Sequence, residues 1–132
     1  MPLTRLLLLL LLALAGVSCG NDPRPRAERQ VRKIGPERLR QDAAILYKNA
    51  FAAHTLEMIT IRTYNWPDSF RPLKPLRVGV YLDGVAVALA VQSTGETGIY
   101  VIPRSMDVEP RNAGGTKFEK ITDGIYWYSF GG

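Results

Sequence analysis

Apolar residues recur at helical spacing from residue 36 to about residue 53, and the period then changes to two. Leu39, Ala43, Leu46, Tyr47, Ala50 and His54 share one helical face, and Ile45 and Phe51 widen it. Arg38, Gln41, Asp42, Lys48 and Asn49 hold the other side. Gly35-Pro36-Glu37 suits a helix start, because proline is tolerated at the first helical position and an early acid suits the helix dipole. The spacing therefore predicts one helix over residues 36–53. Thr55–Thr63 is rich in β-branched residues and reads as a strand, while "NWPDSFRPLKPL", residues 65–76, holds three prolines and reads as a loop. "RVGVYLDGVAVALAVQ" and "TKFEKITDGIYWYSF" are each two apolar runs joined by Asp-Gly, at Asp83-Gly84 and Asp123-Gly124. Both are expected to be type I′ hairpins, with positive φ at the two central residues. Between them Gly98–Ile102 is a short strand closed by Pro103.

In the first hairpin Val85, Val87, Leu89 and Val91 alternate with Ala86, Ala88 and Ala90. Both faces of this strand read as buried, which places it mid-sheet, with the alanines as a floor that lets the helix backbone approach. The fold class expected is α+β: one N-terminal helix packed on an antiparallel sheet of about five or six strands built from β-hairpins.

Ahead of this region the pattern has no period. Arg5 is followed by sixteen residues, Leu6–Asn21, without a charged side chain. A membrane-spanning helix needs roughly 20 apolar residues. A basic start, a short apolar centre and small residues at the exit mark a secretory signal instead. Its exit, Ala15-Gly16-Val17-Ser18-Cys19, resembles the lipobox of bacterial lipoproteins, although leucine is commonest where Gly16 stands. The resemblance covers residues 1–20 and implies cleavage after Ser18 and a diacylglyceryl thioether on Cys19. Residue 20 is Gly and not Asp, which by the sorting rule of enterobacterial lipoproteins favours the outer membrane, facing the periplasm. Cys19 is the chain's only cysteine, so lipidation also accounts for an unpaired thiol in an exported protein. The division expected is a cleaved signal over residues 1–18, a lipidated cysteine and tether over 19–35, and a single domain over 36–132.

Charge sharpens this division. The formal net charge is +5. Within residues 20–35, Arg24, Arg26, Arg29, Arg32 and Lys33 face only Asp22 and Glu28, a net of +3. From residue 36 onward eleven Lys and Arg stand against ten Asp and Glu, a net of +1. Pro23 and Pro25 favour extended backbone, so this basic stretch reads as a solvated tether, or one touching anionic lipid head groups. Export and an almost neutral domain argue against nucleic acid as a partner.

Residues suited to catalysis are few. His54 is the only histidine and reads as a helix-end charge partner or a core residue. Asp107 and Glu109 could contact a cation, but two acids in a loop specify no metal site, and no cofactor is implied. "NAGGT", residues 112–116, is a turn and lacks the Lys-Ser/Thr of a phosphate loop. The strand Tyr126-Trp127-Tyr128-Ser129-Phe130 must divide its rings between two faces. Tyr126, Tyr128 and Phe130 are the candidate partner-binding residues, expected to be exposed on an edge strand, with Ile125 and Trp127 facing the helix. The function expected is a small, non-enzymatic, lipid-anchored envelope protein that binds another envelope protein, as an accessory or immunity-type module. A glycan- or peptidoglycan-binding module is the alternative, and a hydrolase the third.

Overall fold

A computed structural model describes residues 22–51 and 58–131. Cys19, the leucine run and His54 lie outside the described residues. The fold is α+β: two N-terminal helices packed on a six-stranded antiparallel sheet. Helix α1 spans Arg24–Ile34 and helix α2 Pro36–Phe51. Strands β1 (Ile59–Ile61), β2 (Arg77–Tyr81), β3 (Gly84–Gln92), β4 (Gly95–Val101), β5 (Lys117–Thr122) and β6 (Ile125–Gly131) pair in the order β1-β2-β3-β4-β6-β5.

Helix α1 stands where a solvated tether was expected. Its proline lies in the first turn, where the missing N–H costs nothing. Ala27, Val31 and Ile34 then follow at helical spacing. Ala27 and Val31 are buried, and Ile34 packs against the same core. Gly35 ends the helix at φ 100°, and its N–H donates to the Val31 carbonyl at 2.9 Å. Arg24 fastens the start of the helix to the far end of the sheet. It pairs with Glu28 at 2.9 Å and Glu119 at 2.6 Å, and its guanidinium lies 5.8 Å from the centre of the Trp127 ring.

Helix α2 buries Leu39, Ala43, Leu46 and Ala50, as its spacing predicts. These meet Val78, Val80, Val85, Val87, Ile99, Val101 and Ile125 from the sheet. The proline-rich loop contributes Phe70 and Leu73 to the same core, and its buried Ser69 donates a hydrogen bond to Asp42 of α2. The hairpin strand β3 is indeed mid-sheet, but Val85 and Val87 face the helices while Ala86 and Ala88 face away. A bulge between Ala88 and Ala90 then shifts the register. Val91 is paired with Glu96, lies on the face opposite Val85, and is 59% exposed.

Neither Asp-Gly turn is type I′, which requires positive φ at both central residues. Tyr81 pairs with Gly84, so the first loop is Leu82-Asp83, and neither these residues nor Gly84 has a positive φ. In the second turn Gly124 has φ 73° and Asp123 does not. Strand β4 begins at Gly95, three residues before the expected start, and forms a third hairpin with β3.

Candidate functional site

The sheet has a second face, turned away from the helices. Strand alternation assigns to it Arg77, Gly79 and Tyr81 of β2, Ala86 and Ala88 of β3, Glu96, Gly98 and Tyr100 of β4, Tyr126, Tyr128 and Phe130 of β6, and Phe118 of β5. Small residues on the central strands leave room for large rings. A Cβ on Gly84 would overlap the Tyr100 ring. Ala86 pairs directly with Tyr100, and the two are buried together.

The rings meet mostly edge to face. Tyr100 contacts Phe118 at 5.0 Å and Tyr128 at 5.9 Å between centroids, both in T-shaped geometry. Tyr81 contacts Phe130 at 5.6 Å in the same manner. Such pairs contribute about 0.5–1.5 kcal/mol each beyond the area they bury. The connection between β4 and β5, residues 102–116, covers part of this layer with Ile102 and Met106. Arg40 of α2 holds the connection in place. Its Nε donates to the Ile102 carbonyl at 3.0 Å and its Nη2 to the Met106 carbonyl at 3.4 Å.

This arrangement corrects the expected binding surface. Ile125 and Trp127 do face the helices, but Tyr126 is only 8% exposed and Tyr128 is fully buried. β6 is not an edge, because β5 folds outside it. The aromatic strand is therefore covered on both faces, and of the three candidates only Phe130 is half-exposed.

Phe130 forms one wall of a groove of about 330 Å³ with Tyr81, Tyr100 and Phe118, and Asp83 and Arg111 lie at its rim. The Tyr100 hydroxyl donates to Asp83. The Tyr128 hydroxyl donates to Glu96 at 3.1 Å, and Arg77 closes on the other Glu96 oxygen. Burial, reinforced by the neighbouring carboxylates, holds both phenols far above the usual tyrosine range. Tyr81 is raised by burial and then by Glu96. The Tyr100 and Tyr128 hydroxyls remain protonated donors, committed to Asp83 and Glu96, and Arg77 pairs with the Glu96 carboxylate.

Asp107 and Glu109 are exposed on the connection, near Lys120 and Asp123. Among the described residues no three His, Cys, Asp or Glu converge as metal ligands. Gly114 and Gly115 form the turn between Ala113 and Thr116, as "NAGGT" implies. Tyr81, Tyr100, Arg111 and Phe118 were not singled out from the sequence, and Asp83 was read only as a turn residue. The available signal was the row of small residues on the sheet face opposite the valines, which must lie under something large. Among the described residues no helix is long and apolar enough to cross a membrane. No protein family matches the chain, and no curated protein or solved structure proves similar to it.

Proposed function

We propose that the chain is a lipid-anchored protein of the bacterial envelope, attached through Cys19, that acts without catalysis by holding a protein partner in the aromatic groove. The observation that carries this reading is the combination of half-exposed Tyr81, Phe118 and Phe130 rings with a charged rim at Asp83 and Arg111. Protein interfaces concentrate binding energy in a few aromatic and arginine anchors ringed by polar groups. A groove of about 330 Å³ suits one or two partner side chains. The rings are fixed by packing against buried neighbours, so little ordering remains to oppose binding. The protonated, internally bonded phenols also favour recognition over proton transfer.

The experiment is site-specific photocrosslinking in cells of the native host. A photoreactive residue replaces Ala113, which is exposed at the groove, in the full chain with its own leader. One discrete protein adduct is expected, and it should disappear with Arg111→Glu while the melting temperature stays unchanged. Absence of a protein adduct, with Arg111-dependent retention on cell-wall sacculi, would replace this reading by the glycan-binding one.

A further inference from the structure

We propose that the outer face of α1 is a membrane-docking surface for anionic phospholipid, which seats the helical side of the domain on the bilayer and turns the aromatic groove toward the aqueous compartment. The proposal rests on the lipid anchor at Cys19. Ala27, Val31 and Ile34 point α1 inward. Successive helical residues are spaced 100° apart, so Arg26, Arg29, Arg32 and Lys33 fall together on the opposite arc, and all four are exposed. The one acid of the helix, Glu28, is paired with Arg24 on the flank. None of the ion pairs among the described residues involves the four outward cations.

Chain length adds the second constraint. Three residues, Gly20, Asn21 and Asp22, lie between Cys19 and Pro23, the residue that precedes α1. A chain spans at most about 3.6 Å per residue, so over these four steps Pro23 stays within about 14 Å of Cys19 in any conformation. The link is thus short enough for the basic face to reach the head groups, within the roughly 8–10 Å screening length over which anionic lipid attracts it. The helices and the groove occupy opposite faces of one sheet. A domain resting on α1 therefore presents Tyr81, Phe118 and Phe130 away from the membrane.

The test uses the full, lipidated chain reconstituted into vesicles with and without phosphatidylglycerol. A fluorophore is placed at Arg32→Cys or at Ala113→Cys, and a head-group-borne quencher reports proximity to the bilayer. With phosphatidylglycerol, strong quenching is expected at position 32 and weak quenching at 113. The combined R26E, R29E and K33E variant, or high salt, should abolish the difference without changing the melting temperature. Equal quenching at both positions, indifferent to phosphatidylglycerol and to charge reversal, would overturn the proposal. A second arm separates the anchor from the surface. The Cys19→Ser chain should still sediment weakly with phosphatidylglycerol vesicles, at least about tenfold more than its charge-reversed counterpart. If the wild type leaves the vesicles as readily as Cys19→Ser while this charge dependence persists, the anchor reading fails and the docking face stands.

Discussion

At Gly84 the absence of a side chain determines whether the Tyr100 ring can lie against β3. The backbone there is ordinary, with no positive φ, so any residue could adopt it; the constraint is space. Gly124 differs, because its φ of 73° is itself strained for other residues and a Cβ would also meet Arg40. The two glycines should respond differently to a smaller neighbour. Gly84→Ala is expected to cost about 1–3 kcal/mol in urea melts, as overpacking does. In a Tyr100→Leu background most of that cost should vanish, giving a coupling of about 0.5–3 kcal/mol. Gly124→Ala should keep much of its cost in an Arg40→Ala background, since the backbone strain remains. Equal costs at Gly84 in both backgrounds would mean that the turn, and not the ring, requires glycine.

At the scale of elements, alternation and helical spacing made most of the fold legible. Helix α2, the two Asp-Gly hairpins and the mid-sheet position of β3 were all readable because each has a long apolar period. α1 was not, because prolines and five basic residues mask a stripe of only three apolar side chains, and its stability comes from tertiary contact. Alternation also reveals which residues share a strand face, but not what covers that face. Tyr126 and Tyr128 were read as exposed because the connection over residues 102–116 has no periodic signal, and because nothing local places β5 outside β6. A test at this scale is Val31→Ala. It removes two methyl groups from a fully buried site and should cost about 2 kcal/mol, at about 0.8 kcal/mol per buried carbon, with a further penalty if a cavity remains. Amide hydrogen exchange of α1 should be protected in the wild type and faster in the variant. A silent substitution with unprotected amides would restore the tether.

In the whole molecule, two apolar layers share one sheet, and the two layers carry different reporters. Trp66 and Trp127 pack against the helix-side core, while Tyr100 and Tyr128 are buried on the opposite side. Alkali addresses these two buried phenols of the second layer. Both phenols have folded pKa values raised above the unfolded value of about 10, first by burial and then by Asp83 or Glu96. Below about pH 10 the phenols are protonated in both states, so their contribution to stability is fully present there. Above it the unfolded chain loses protons that the folded chain keeps, and stability falls as pH rises, by up to about 1.4 kcal/mol per pH unit for each tyrosine that stays protonated. Urea melts from about pH 8 to about pH 11 should show this decline. Tyr100→Phe and Tyr128→Phe should each reduce the slope. Neither strands an acid, because Asp83 is exposed and Glu96 retains Arg77. Since the same strands form both layers, the part of the tyrosinate absorbance that Tyr100→Phe and Tyr128→Phe remove should change with tryptophan fluorescence in one coincident transition. If that part appeared at the ordinary tyrosine pKa while tryptophan fluorescence stayed native, Tyr100 and Tyr128 would lie in water. That result would also restore the aromatic strand as an exposed surface.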